Sequence, residues 1–319
     1  MRVAVWGLGP HAFKSILPSI ELSPLLELAG VWSRDATRRA EATRKWGGTP
    51  WPSSAEMLAS SEVDVVYVAT PTGLHFEHGM EVLGANKHLV CEKSLAVHPA
   101  HAFMLVAEAR ARKLVLCEAL MFQHHPRTTL LESVIRGPDF GKPLHAFCAF
   151  GLPPLQHPGF RNDVSLGGGA LLDVGCYPLC MMRVLLGSDP RVGHAEMSGG
   201  AGDGVDIAGS ACLEFASGAR ANVAWGYNRA YTAELIAVGE HQSVYANRLF
   251  AKETLDDSTI VLRDQTGGQK TLNVPPANGF VSMFEWVVRG IADPMTRERL
   301  YEQAEDQARL MSDVMKCAK

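Results

Sequence analysis

None of the seven cysteines of this 319-residue chain stands in a CxxC pair, which removes the spacing that structural zinc and dithiol redox sites use. They lie scattered at positions 91, 117, 148, 176, 180, 212 and 317. Cys176 and Cys180, one helical turn apart, read as small buried hydrophobes. There is no block of basic residues: 30 Lys and Arg against 34 Asp and Glu leave a formal charge of -4. Nucleic acid or an anionic membrane surface would need a positive footprint that this chain lacks. Apolar runs such as LVLCEALMF fall well short of the roughly 20 residues that cross a bilayer. The opening RVAVWGLG carries no charged region ahead of a long apolar stretch and a cleavage site. Internal repeats, low-complexity tracts and Ser- or Gly-rich linkers are also missing. These absences predict a cytoplasmic protein with a small-molecule ligand, no nucleic-acid partner, no membrane partner and no metal.

What is present is ordinary for a globular protein: 47% hydrophobic and 20% charged residues, enough to fill a core. At this length two domains are expected. Strand and helix patterns alternate through the first part of the chain. Strands are predicted at Arg2–Leu8, Leu26–Ser33, Val63–Ala69, His88–Cys91 and Leu114–Glu118. Helices are predicted at His11–Leu22, Arg34–Trp46, Glu77–Gly84 and Pro99–Arg112. The strands are almost continuously apolar, as strands of a parallel sheet covered on both faces must be. Residues 1–120 therefore read as an α/β domain with a doubly wound parallel sheet.

After Phe122 the rhythm changes. A helix near Thr128–Ile135 and a strand near Leu144–Phe150 precede an irregular Pro- and Gly-rich stretch and a helix that starts in the triple glycine 167–169. Strand-like runs at 207–215, 219–227, 233–239, 259–263 and 270–274, separated by turn residues, predict an antiparallel sheet. Helical patterns return at 280–291 and 298–316. Residues 121–319 read as an α+β domain.

Gly7-Leu8-Gly9-Pro10-His11-Ala12 fits G-x-G-x-x-A between the first strand and the first helix. The first glycine serves a tight turn, the second lets a pyrophosphate approach the backbone, and the small third residue lets helix pack on strand; amides at the helix start then face the phosphates. With repeated βα units behind it, the motif predicts a Rossmann domain that binds a nicotinamide dinucleotide. At the end of the second strand, Ser33 and Arg34 precede Asp35, and Arg38 follows one turn later. Arginines there accommodate a 2'-phosphate, so NADP(H) is favoured over NAD(H); the plain alternative is a solvated helix face. Thr70-Pro71-Thr72 lies at the end of the third strand, on the edge where such sheets bind ligands.

Cys91-Glu92-Lys93-Ser94 follows the fourth predicted strand at the same edge, which makes Lys93 the first candidate for chemistry; a solvated Glu-Lys pair is the alternative. Further on, GGGALLDVGCYPL (167–179) places Asp173 and Tyr177 four residues apart, on one helix face unless Pro178 bends the segment. His124 and His125 are adjacent on a loop with no third ligand nearby, which reads as structural.

Taken in order, GxGxxA, ATPTGLH, CEKS and GGGALLDVGCY resemble the motifs of the Gfo/Idh/MocA oxidoreductase family, and the resemblance spans essentially the whole chain. It implies a Rossmann domain followed by a domain with a large, mostly antiparallel open sheet whose exposed face often forms a dimer contact; a homodimer or homotetramer is expected. It implies a polyol or sugar-like substrate and hydride exchange between a carbinol carbon and the nicotinamide. Tyr177 stands where much of the family has histidine, a pattern similar to the branch that includes glucose-fructose oxidoreductase, dimeric dihydrodiol dehydrogenase, xylose dehydrogenases and nucleotide-sugar ketoreductases. By that resemblance Tyr177 moves the hydroxyl proton, Lys93 stabilises its phenolate, Asp173 orients substrate or lysine, and Arg161 holds a polar substrate group. His75 and Glu92 join Gly7, Gly9, Pro10, His11, Ser33, Arg34, Arg38, Thr70, Pro71 and Lys93 as expected cofactor-binding residues. Ser94 replaces the proline of the family's EKP. A non-catalytic, dinucleotide-binding regulatory protein of the same fold is the second reading.

Overall fold

The computed structural model describes residues 1–156, 159–199, 204–250 and 258–318. The chain divides into two compact units, Met1–Leu120 with Phe280–Glu305, and Met121–Gly279 with Asp306–Lys319.

In the first unit six strands, β1 (Arg2–Trp6), β2 (Glu27–Trp32), β3 (Thr49–Pro50), β4 (Val65–Val68), β5 (His88–Cys91) and β6 (Leu116–Glu118), form a sheet in the order β3-β2-β1-β4-β5-β6. Every pairing is parallel. β4 is buried throughout and β1 from Val3 onward, which is why their sequences are unbroken apolar runs. The connections are a π-helical turn (Ala12–Ile16) running into α1 (Leu17–Leu22), then α2 (Ala36–Trp46), α3 (Ser54–Ala59), α4 (His75–Gly84) and α5 (Pro99–Arg112). Asp35 caps α2 and Ser53 caps α3, each accepting the amide three residues on. β3 and α3 are additions to the five-strand expectation.

The second unit is built on an eight-stranded sheet: β7 (Pro143–Gly151), β8 (Arg191–Gly199), β9 (Asp206–Glu214), β10 (Arg220–Gly226), β11 (Thr232–Gly239), β12 (Gln242–Ala246), β13 (Ser258–Asp264) and β14 (Gln269–Val274). Their order is β14-β13-β12-β11-β7-β10-β9-β8. β7 and β10 pair in parallel, and the other neighbours are antiparallel. α6 (Pro126–Ile135) precedes the sheet, and α7 (Cys176–Leu186) lies against β7 and β10. The strands alternate in burial, most regularly in β11. Phe147 pairs with Ile236, and both are exposed, as are Leu144 and Val238 on the same strands. One sheet face is therefore core and the other an open, partly apolar surface.

Two helices close the chain, α8 (Gly279–Ala292) and α9 (Pro294–Cys317). They correct the reading of 121–319 as one continuous domain, because residues 280–305 belong to the first unit. Phe284 packs on Tyr67 of β4, the Tyr301 hydroxyl donates to the Leu114 carbonyl, and Arg110 is paired with Glu298 and Glu305.

The run Val164–Leu186 is long and apolar enough, by length and composition, to cross a membrane, unlike the shorter runs noted in the sequence. From Gly169 onward it is almost wholly buried within the protein: its apolarity is that of a core helix.

Candidate active site

In the first unit the strands end at one edge, and the strand order reverses between β1 and β4. That is the switch point where ligands of such sheets bind. Gly7, with φ +106°, stands here because a Cβ on it would come within 2.8 Å of the Ala69 carbonyl group. A Cβ on Gly9 would meet nothing within 4 Å. The turn is thus clenched at its first glycine and open above its second, the shape a pyrophosphate needs. Pro10 opens the helical segment, and the Gly9 carbonyl accepts from Ala12 N (3.0 Å) and Phe13 N (3.4 Å).

At the end of β2, the Asp35 carboxylate caps α2 by accepting Arg38 N at 3.1 Å and faces Arg38 Nε at 3.5 Å. Arg38 also donates to the Leu8 carbonyl at 2.8 Å, so its side chain reaches back to the glycine turn. The Ser33 hydroxyl accepts Asp35 N, and Arg34 is exposed. Beyond β4, the Thr70 hydroxyl bonds the His78 ring at 3.0 Å, and that ring stacks on Trp6 at 4.2 Å. Burial pushes His78 below its ordinary pKa, with His75 and Arg34 adding to the shift. Pro71 leads into the turn 72–74 ahead of α4.

His75, buried at the start of α4, places one ring nitrogen 2.8 Å from the Ser94 carbonyl and the other 2.8 Å from the Thr70 carbonyl. Burial holds its pKa down against both bonds. Glu92, 9% exposed, lies just past β5. One of its oxygens takes the Tyr67 hydroxyl at 2.5 Å and faces the His11 ring at 2.8 Å. Lys93 follows it, half-buried, and the Lys93–Ser94 peptide is cis although Ser94 is not proline.

In the second unit the triple glycine leads into a π-helical turn (Leu171–Gly175) and then α7. Asp173 and Tyr177 therefore do not lie on one regular α-helical face. Cys176 N reaches back to the Leu171 carbonyl, which makes a wider turn ahead of Pro178. Asp173, 8% exposed, accepts Arg161 Nε at 2.6 Å and the Tyr227 hydroxyl at 3.0 Å on the same oxygen. Burial works against the charge of Arg161, yet Asp173, by proximity and hydrogen bond, keeps its pKa above the usual value, with Tyr227 and Tyr177 contributing. Arg161, expected to hold a polar substrate group, is partly exposed and gives its Nε to this carboxylate. The Tyr177 ring is 6% exposed among Phe122, Phe150 and Phe250, at 5.5, 5.2 and 5.3 Å between centroids.

The start of this helical segment is held by Asp206 of β9, which accepts Leu171 N at 2.7 Å. Gly169 has φ +116°, and a Cβ there would stand 2.3 Å from the Asp206 carboxylate. Tyr67, His78, Asp206, Tyr227 and the three phenylalanines escaped sequence reasoning. The triple glycine was the one local hint of a close neighbour. Lys93 belongs to the first unit; Tyr177, Asp173 and Arg161 belong to the second. His125 caps α6 by accepting Arg127 N at 3.0 Å, and burial pushes both His124 and His125 down to about 4. Among the described residues no group of three His, Cys, Asp or Glu side chains gathers to hold a metal ion.

A parallel sheet with a glycine turn open at its switch point, in a chain whose second unit carries a large open sheet, has the build of a dinucleotide-binding protein of two parts. Two protein-family models match: "Oxidoreductase family, NAD-binding Rossmann fold" over residues 1–119 and "GFO/IDH/MocA C-terminal domain" over residues 129–245. The chain belongs to the Gfo/Idh/MocA oxidoreductase family, the one its motifs resemble, and it is an NAD(P)-dependent, hydride-transferring dehydrogenase or reductase. It is 30% identical to dTDP-3,4-didehydro-2,6-dideoxy-alpha-D-glucose 3-reductase of Actinomadura kijaniata, over 98% of this chain and 93% of that one. It is 29% identical to D-xylose 1-dehydrogenase (NADP(+)) 2 of Haloferax volcanii, over 70% and 68%. The crystal structure of KijD10, a 3-ketoreductase from Actinomadura kijaniata in complex with NADP and TDP-benzene, superposes with a TM-score of 0.93 at 29% identity, covering 100% of this chain and 98% of that one.

Proposed function

We propose that this enzyme oxidises or reduces a secondary alcohol or ketone of a sugar-like molecule, free or carried on a nucleotide, with NADP(H). The observation that carries the reading is the pairing of an open glycine turn with Lys93 at the same edge of one parallel sheet. The relatives' activities, reduction of a nucleotide-linked keto sugar and oxidation of xylose, support the substrate class. Gly7, Gly9 and Pro10 would hold the pyrophosphate, with His11 beside them in the same turn and turned to Glu92, and Ser33, Arg34 and Arg38 the 2'-phosphate. Thr70, Pro71, His75, Glu92 and Lys93 would line the nicotinamide end. Preference for NADP(H) is supported by the one acid of that corner, Asp35, being engaged as a helix cap facing Arg38.

When bound, the nicotinamide supplies hydride exchange with the carbinol carbon. By the family resemblance Tyr177 would pass the hydroxyl proton as general acid or base, and the Lys93 ammonium would favour its ionised form. Asp173 orients substrate hydroxyls, and Arg161 keeps that carboxylate charged and in place. KijD10 has been crystallised with one lysine or one tyrosine replaced, and these are separated by the same number of residues as Lys93 and Tyr177. The regulatory alternative leaves this lysine and tyrosine without a task.

The protein works as a homodimer or homotetramer through the exposed face around Phe147 and Ile236. A cytoplasmic setting fits seven cysteines of which none is disulfide-bonded. Light scattering of a Phe147→Asp/Ile236→Lys variant is expected to give a smaller particle than wild type; a monomeric wild type would sink the assembly.

The test of function is NADPH and NADH fluorescence titration, followed by turnover of aldoses and dTDP-linked keto sugars by wild type and Tyr177→Phe. Tight NADPH binding, with turnover lost in the variant, supports the reading. No cofactor binding, or no turnover of any sugar, overturns it.

A further inference from the structure

The stretch 92–95, which carries Lys93, is held on every side by buried polar groups of the first unit. Ahead of the lysine, the Glu92 carboxylate takes the Tyr67 hydroxyl from β4 and faces the His11 ring of the glycine turn, while its other oxygen lies 3.3 Å from Lys93 N. After it, the Ser94 carbonyl meets His75 at 2.8 Å, and Leu95 N donates to Glu118 at 2.9 Å. Tyr67, His75 and Glu118 are all buried. His11 is the partly exposed member, its side chain 29% accessible. It also sits within the turn whose open side faces any bound dinucleotide, and its ring leans on Phe280 at 5.6 Å.

We propose that His11 and Glu92 are positioning residues that tie the glycine turn to the backbone of Lys93, so that the turn which takes the pyrophosphate also sets where the lysine stands. The chemistry follows from the bonding. A carboxylate with both oxygens engaged has few free orientations, and Glu92 shares a peptide bond with Lys93, so fixing its side chain fixes the lysine's Cα. The imidazole is a directional donor on the same oxygen that Tyr67 occupies. His11 thus acts through Glu92 and need not itself touch a phosphate. This deepens the functional reading above and rests on Lys93 being a residue of the reaction.

The experiment compares His11→Leu, His11→Gln and wild type by NADPH titration, thermal melting without cofactor, and kcat with a sugar that the wild type turns over. His11→Leu is expected to leave the NADPH Kd within about threefold and to lower kcat by roughly ten- to a hundredfold, the scale of a misplaced catalytic group. His11→Gln, whose amide can still donate to Glu92, is expected to recover most of that loss. An unchanged kcat in His11→Leu overturns the tie. So does a His11→Gln variant no better than His11→Leu. Loss of NADPH affinity in His11→Leu makes the residue a cofactor ligand instead and also overturns it. Failure of the wild type to bind NADPH or turn over any sugar is a different result, and it falls on the functional reading.

Discussion

The two glycines of the cofactor turn have different jobs, and substitution separates them. Gly7→Ala forces a Cβ to within 2.8 Å of the Ala69 backbone at φ +106°, and about 1–3 kcal/mol of stability is expected to go. Gly9→Val places its side chain in open space, so its melting curve should stay within about 0.5 kcal/mol of wild type. NADPH affinity should nevertheless fall at least about tenfold, read by fluorescence. A second residue-scale prediction concerns acid. His75, His78, His88, His124 and His125 are all held below their ordinary pKa, by burial first in every case, and His124 and His125 at about 4. The unfolded chain takes up these protons near pH 6.5. Stability should therefore be full above that value and drain away as pH falls toward 4, because the unfolded state binds the protons first. His124 alone accounts for on the order of 3 kcal/mol at the lower end. Urea midpoints from pH 7 to 4.5 measure the slope, which His124→Gln should flatten. At this scale the sequence displayed the glycines, Lys93, Asp173 and Tyr177, because motifs are local. Tyr227 and Asp206 were hidden because their bonds to Gly169, Asp173 and Leu171 span 35 residues or more.

Among the elements, the helical segment bearing Asp173 and Tyr177 depends on a strand far along the chain. Asp206→Ala deprives Leu171 N of its acceptor, and burial already pushes that carboxyl above its usual range. Turnover is expected to fall about tenfold or more as the segment loses its anchor, with NADPH affinity unchanged; Asp206→Asn, which keeps an acceptor oxygen, should recover much of it. Equal loss in both variants would show that charge matters rather than anchorage. Most elements were legible: Pro99–Arg112 and His88–Cys91 match to the residue, since a proline stands at the first position of the helix and the strand is a short apolar run. β3 has only two residues, too short to show a period. β8 is largely exposed and so lacks the apolar alternation that announces a strand, while β12, five residues long, is too short to show a clear one. The π-helical turn left no signature, because the wider winding shows only in which carbonyl each amide reaches.

Across the whole molecule, the returning helices complete the first unit. Tyr301 is 2% exposed and bonds the carbonyls of Leu114 and Ala109. Tyr301→Phe should cost about 1–2 kcal/mol, seen as an earlier thermal transition. Residues 1–120 alone should be cut faster by protease than the intact chain, because Phe284, Tyr301 and their neighbours no longer cover the sheet. Composition and the order of patterns carried the α/β then α+β succession. The return of 280–305 was not legible, since amphipathic periodicity says that a helix has an apolar face but not which surface it covers.

That return also limits how such enzymes can be recombined. A chimera that exchanges the cofactor-binding unit at residue 120 leaves its closing segment, 280–305, with the old partner. A faithful exchange needs three crossovers, and the last, between Glu305 and Asp306, falls inside the single helix Pro294–Cys317. Swapping one half alone would part the cofactor-binding unit from the segment that closes it.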